Sequence, residues 1–262
     1  MKKTLLILRG TCAIVFLSAF LSCSKTVTTP PVTYGNVYLQ IQNNLGSGLL
    51  DTGIVLADPS GRNYKFSSAR YYIGGITLKG ENGTNVSLGS TTYFLENVGS
   101  SAFLAGSVPS GNYISITFSI GIDPVTNQTN PSTYTAGTAL APQNPAMWFG
   151  STTKGYMYLN VQGLVDTTGT GNGTPTVPFT IQLGQSQNVR TTSINLNSNP
   201  SDYFYIYGSQ NNTINLIADY NAILKNIKYS ALSGSCTITP FNANAGLEST
   251  IAGNISSMFS LQ

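Results

Sequence analysis

Tyr113-Ile114-Ser115-Ile116-Thr117-Phe118-Ser119-Ile120 alternates residue by residue. Ile114, Ile116, Phe118 and Ile120 fall on one face and the Ser and Thr side chains on the other. That period of two is the signature of a half-buried β-strand. Val108-Pro109-Ser110-Gly111-Asn112, just before it, is a turn. Working outward, the same grammar repeats. Val37 to Gln42 alternates. Residues 53–57 and 64–66 flank the turn Asp58-Pro59-Ser60-Gly61, and residues 70–79 form a strand with Gly74-Gly75 inside, which predicts a bulge. Glu81-Asn82-Gly83 turns the chain into residues 86–88 and 92–95. Residues 156–161, 179–183, 191–196, 203–207 and 212–216 continue the series. Many short strands at regular spacing predict an all-β fold, an antiparallel β-sandwich of Ig-like or Greek-key type. A long loop over 123–147 interrupts it, and 166–178 reads as an exposed Gly/Thr loop.

The last quarter changes period. Tyr220, Ile223, Leu224 and Ile227 recur at helical spacing, with Asp219 placed as an N-cap, and Leu247, Ile251, Ile255, Met258 and Phe259 do the same. Two short C-terminal helices docked on the sheet are expected.

The chain has 262 residues, of which only 8% are charged, against roughly 25% in an ordinary soluble domain. A charge-rich disordered tail, a coiled coil and a nucleic-acid partner are disfavoured by that composition. Histidine is absent, which removes Ser-His-Asp and Cys-His catalysis and every imidazole-ligated metal site. The carboxylates Asp51, Asp58, Glu81, Glu96, Asp123, Asp166, Asp202, Asp219 and Glu248 supply no recognisable catalytic pair, so no enzyme activity is expected. Asp123, between a strand and Pro124, reads as an Asx turn at the loop entrance. Gly169-Thr170-Gly171-Asn172-Gly173 lacks the strand, helix and Lys of a phosphate loop.

The amino terminus reads as an export signal: Lys2 and Lys3, a mostly apolar run over 5–21, then Phe20-Leu21-Ser22-Cys23, which resembles a bacterial lipobox. The expected organisation is a lipoprotein signal peptide over 1–22, a flexible tether over 23–34 with lipid attached at Cys23, and a single domain over 35–262. Cleavage before Cys23 leaves nine basic and nine acidic residues, so the mature side chains are neutral overall. The expected location is the bacterial cell envelope, as an outer-membrane lipoprotein facing the periplasm or the surface. Cys236 then stands alone and reads as a small buried apolar residue.

Arg70-Tyr71-Tyr72-Ile73 with Ile76-Thr77-Leu78 and Gly83 resembles a strand of the MbnP-like copper-binding protein family. So does Val108 to Tyr113 leading into Phe118-Ser119-Ile120-Gly121-Ile122-Asp123. Met147-Trp148-Phe149 with Gly155-Tyr156 resembles the family's segment M-x-W-x-W-x-x-G-Y, and Ala218 to Asn221 and Ile251 to Ser260 resemble its C-terminal pieces. The resemblance implies an envelope β-sandwich. In methanotroph members it also implies copper bound by histidines beside a tryptophan oxidised to kynurenine by a dihaem peroxidase-like partner. Here the first-strand histidine position falls near Gln42-Asn43, and the second tryptophan is missing. Copper is implied by the resemblance alone. Met147 and Trp148 are the candidate metal-site residues, and packing under the long loop is the favoured role for both.

Two functions follow from different classes. One is an exported, lipid-anchored, non-enzymatic MbnP-like protein linked to copper handling yet without His ligands. The other is a surface glycan- or protein-binding module that uses exposed Tyr and Asn on loops.

Overall fold

The structure, a computed structural model, describes residues 31–89, 92–99, 102–197, 203–232, 236–242 and 244–262. The signal peptide, Cys23 and most of the tether lie outside the described residues. Residues 32–262 form one compact unit. Its core is drawn entirely from residues between Val37 and Leu261.

β1 (Tyr34–Leu45), β2 (Gly48–Leu49) and β3 (Val55–Ala57) lead into β4 (Asn63–Gly80), a strand of 18 residues. β5 (Asn85–Ser87), β6 (Tyr93–Asn97), β7 (Phe103–Pro109) and β8 (Gly111–Ile120) follow, then the short helix α1 (Pro124–Asn127). The remaining elements are β9 (Met157–Val165), β10 (Val177–Gly184), β11 (Arg190–Asn195), β12 (Phe204–Ile206), β13 (Asn211–Asp219), α2 (Asn221–Leu224), β14 (Cys236–Ile238), α3 (Ala245–Asn254) and β15 (Phe259–Leu261). One sheet runs β15-β13-β1-β2, with β7 also on β1. The other runs β11-β8-β4-β9-β10-β14, with β12 on β8 and β3, β5 and β6 on β4.

The β-sandwich expected from the alternation is the fold, with one qualification: β1–β13 and β10–β14 are parallel pairs in otherwise antiparallel sheets. The two faces meet through Leu39, Ile41, Ile214 and Leu216 on one side and Phe66, Ile73, Phe118 and Leu159 on the other. Aromatic edges tie them together. Phe259 stands edge-on to Phe118 at 5.1 Å and to Tyr71 at 5.7 Å, and Phe66 to Tyr220 at 6.4 Å. Such pairs add about 0.5–1.5 kcal/mol each beyond their buried area.

Local chemistry accounts for the junctions. Asp58 Oδ1 accepts from the amides of Ser60 and Arg62, closing the turn before β4. Gly75 sits at φ +62°, where the β4–β8 register shifts between Gly74 and Thr77, so the expected bulge is present and uses the glycine's freedom. A second shift at Lys79/Gly80 turns Tyr113 inward and leaves Ile114 half-buried. What sequence read as two strands, 64–66 and 70–79, is the single strand β4.

The C-terminal helices differ in detail from expectation. α2 spans four residues, Tyr220 precedes it and Ile227 follows it. Asp219 Oδ1 accepts the Asn221 amide, one position earlier than the cap, and also the Gly46 amide. In α3, Leu247 is exposed and Glu248 is buried, because Glu248 Oε1 accepts the Gly184 amide at 3.0 Å. Phe259 leaves the helical stripe and begins β15. Cys236 is a free, buried thiol in β14, and burial raises its pKa.

Candidate functional site: the pocket under the long loop

β4 carries Tyr71 and Tyr72 side by side, and successive strand residues point to opposite faces. Tyr71 therefore joins the main core. Tyr72 enters a second hydrophobic cluster with Ile122, Leu140, Met147, Tyr156 and Tyr158. The 123–147 segment closes over that second cluster.

The segment is fixed along its length. Asp123 accepts from the Val125 and Thr126 amides, capping α1, and Pro124 opens that helix. The Asx role expected for Asp123 is thus its role here. Its other oxygen accepts from the Tyr93 hydroxyl at 2.7 Å. Partial burial pushes the Asp123 pKa up, but the bonds from Thr126, Tyr93 and the Val125 amide outweigh it and hold the pKa below its usual value. The Tyr72 hydroxyl donates to Ala139 O at 3.0 Å and the Tyr156 hydroxyl to Leu140 O at 2.8 Å. Arg70 donates to Pro145 O at 2.6 Å and to Gln143 Oε1 at 3.3 Å, and its Nε to Asn97 Oδ1. Asn160 Nδ2 holds Ala146 O at 3.1 Å. Burial lowers the Arg70 pKa; the guanidinium stays charged because an arginine starts so high.

Met147, Trp148 and Phe149 then run beside residues 155–157. The Met157 amide donates to Met147 O and the Phe149 amide to Gly155 O, with Trp148 bridging Tyr156. Gly155 has φ +74°, and a Cβ there would run into the Asn127 amide, which itself accepts the Tyr156 N–H at 2.8 Å. Only glycine fits at that point. A cavity of about 300 Å³ remains, lined by Tyr72, Pro131, Gln143, Met147, Trp148 and Tyr156 among others. Trp148 is half-buried at its wall, 4.8 Å from the Tyr156 ring at 69°, and Tyr156 stands edge-on to Tyr72 at 5.7 Å. Met147 is buried.

Both candidate residues therefore line one pocket. Met157 is buried in the same cluster. The residues that build the pocket and that sequence reasoning missed are Tyr72, Asn127, Gln143, Tyr156 and Arg70. The adjacent pair Tyr71-Tyr72 was the available signal, since two bulky neighbours in one strand need two apolar faces.

Asn43, near the family's first-strand histidine position, is buried elsewhere. Its Nδ2 donates to Glu96 Oε1 at 3.2 Å, and the Tyr71 hydroxyl reaches its Oδ1 at 3.5 Å. Glu96 is 1% exposed, and desolvation pushes its pKa to about 7 despite the Asn43 bond. The buried Tyr220 hydroxyl, in electrostatic reach of Glu96, has no hydrogen-bond partner among the described residues.

This donor set does not suit Cu(II), which takes imidazole or thiolate nitrogen and sulfur in a close tetragonal or trigonal arrangement. The pocket offers thioether sulfur, phenols and neutral amides. Among the described residues no three of His, Cys, Asp or Glu come together.

Residues 34–238 match the family model for MbnP. Among solved structures, MbnP from Methylosinus trichosporium superposes with a TM-score of 0.54 at 13% identity, covering 79% of this chain and 81% of that one. At that identity the superposition speaks for the fold. No curated protein sequence matches the chain.

Proposed function

This chain belongs to the MbnP family, and on that premise we propose that it is an exported, lipid-anchored, non-enzymatic member in which Trp148 serves as a packing element. In this reading the protein descends from copper-handling chemistry, and its own side chains bind Cu(II) weakly or not at all. The observation that carries the reading is the setting of Trp148. It rests on Tyr156 and the buried Met147 in the wall of a pocket that holds no imidazole, in a chain without histidine. Trp148 then stays an indole, and the dihaem partner implied by the resemblance has no task here.

Titration of the protein with Cu(II) tests the metal half of the proposal. The expected result is no stoichiometric complex at low micromolar protein. A submicromolar one-to-one complex would overturn it.

The anchor half rests on Phe20-Leu21-Ser22-Cys23 and the polar, proline-containing stretch after it. Among the described residues no helix is long and apolar enough to cross a membrane. In this reading the acyl chains on Cys23 provide the attachment, and together they give stable anchoring. Cys23→Ala is expected to move the protein from the membrane fraction to the soluble fraction on cell fractionation. Unchanged membrane association in that variant would contradict the anchor.

A further inference from the structure

β12 pairs with the start of β8 in the register Phe204↔Tyr113, Tyr205↔Asn112 and Ile206↔Gly111. Ile206 is fully buried and Phe204 half-buried, so the alternation turns Tyr203, Tyr205 and Tyr207 outward. They are 40%, 46% and 55% exposed. Side chains two apart on a strand stand about 6.7 Å from one another, and the rings of Tyr205 and Tyr207 lean together, centroids 4.7 Å apart at 66°. Three large aromatic side chains in a row on one exposed ribbon are unlike singly scattered surface apolar residues.

Beside them lies a groove of about 280 Å³, walled by Glu81, Asn82, Thr84, Ser110, Asn112 and Tyr113. Its polar groups are already held in place. Asn112 Nδ2 donates to Glu81 Oε2 at 2.8 Å, and Asn82 Oδ1 accepts the Thr84 amide at 3.0 Å. The ribbon and the groove are contiguous. Asn112 is the cross-strand neighbour of Tyr205, and the Glu81 carboxylate interacts with the Tyr203 phenol.

We infer that the Tyr203–Tyr205–Tyr207 ribbon and the groove of Glu81, Asn82 and Asn112 form a binding site for a neutral oligosaccharide. A sugar ring has an apolar C–H face and a rim of hydroxyls. Aromatic rings cover the first at small cost in side-chain entropy, and fixed planar amide and carboxylate groups pair with the second. Other ligand classes match less well. Among the described residues no Lys or Arg lines the groove, which disfavours phosphate-bearing and other anionic ligands. Its wall also includes Val86 and Pro109, an apolar surface beside the fixed polar groups that suits the two-sided character of a sugar ring. The site is separate from the Trp148 pocket and does not depend on the function proposed there.

The test uses the chain begun at Ser24, since the unit from residue 32 onward carries its own core. Cellohexaose, xylohexaose, maltohexaose and chitohexaose are titrated calorimetrically, with phosphatidylcholine vesicles as a separate arm. At least one hexasaccharide is expected to bind with Kd below about 1 mM. Tyr205→Ala and Tyr207→Ala should each weaken it about tenfold or more, Tyr205→Phe should keep it, and Asn112→Ala should weaken it. Both tyrosines are exposed, so melting temperatures should stay near the parent's. Three results would overturn the assignment: none of the four sugars binds; binding survives the Tyr205→Ala/Tyr207→Ala double variant; or the tyrosines support binding to the vesicles and not to the sugars.

Discussion

Tyr156→Ala is expected to destabilise the protein by about 3–5 kcal/mol, the usual cost of truncating a fully buried aromatic. The ring is 1% exposed and packs against both Tyr72 and Trp148. Its hydroxyl donates to Leu140 O, so the loss also strips a partner from the carbonyl of the covering segment. Tyr156→Phe separates the two contributions: it keeps the ring and should cost about 1 kcal/mol, the net value of one hydrogen bond. Denaturant unfolding followed by the fluorescence of Trp148, the single tryptophan, measures both. A cost below about 1.5 kcal/mol for the alanine variant would show that the 123–147 segment is held mainly by Arg70 and Asn160.

Glu96 makes stability depend on pH in a direction that can be worked out. Its pKa rises from 4.5 to about 7 on folding, so the folded protein keeps a proton that the unfolded chain has released. That contribution is fully present below about pH 4.5 and is lost as pH climbs through 7. A shift of this size corresponds to about 3 kcal/mol. Stability should therefore fall between pH 5 and pH 8. Glu96→Gln keeps the shape and an acceptor for Asn43 and removes the charge, so its profile should be much flatter and its stability at pH 8 higher than the parent's. Glu248, whose pKa burial also raises, leaves a smaller slope of the same sign in the variant. Equal pH profiles for parent and Glu96→Gln would show that Glu96 is hydrated in the folded state.

Sequence reading succeeded where the cause was local. The turn at Asp58, the bulge at Gly74-Gly75 and the Asx role of Asp123 are each decided within a few residues, and the structure places them there. The alternation of residues 113–120 gave the strand and the fold class. It did not give the register shift that turns Tyr113 inward, because that depends on Lys79 and Gly80 in another strand. The parallel pairing of β1 with β13 joins segments some 175 residues apart, such as Asn36 with Asn211, and nothing in either segment names its neighbour. The strand Phe103–Pro109 was missed: its pattern is broken by Gly106, which has positive φ against Leu88.

The site was half legible. Met147 and Trp148 were marked by their neighbourhood to Gly155-Tyr156, and the structure brings all four together. The anchors that shape the pocket come from β4 and β9, where Arg70, Tyr72 and Asn160 bond to carbonyls of the loop. Long-range side chain to backbone bonds of this kind leave no periodicity in the sequence. Glu96 was likewise invisible. A carboxylate in a strand is ordinarily solvent-facing, and only the packing of Asn43, Tyr71 and Tyr220 around it reveals its burial. For Leu247 and Glu248 the hydrophobic pattern pointed the wrong way, since the unpaired Gly184 amide needed an acceptor more than the core needed a leucine.

The most direct test of the account is the mass of the Met147-Trp148-Phe149 peptide, with bound copper counted, in protein purified from its native host. The account predicts an unmodified tryptophan, full indole fluorescence and copper far below one atom per chain. A substantial kynurenine fraction at Trp148, or stoichiometric copper, would contradict it.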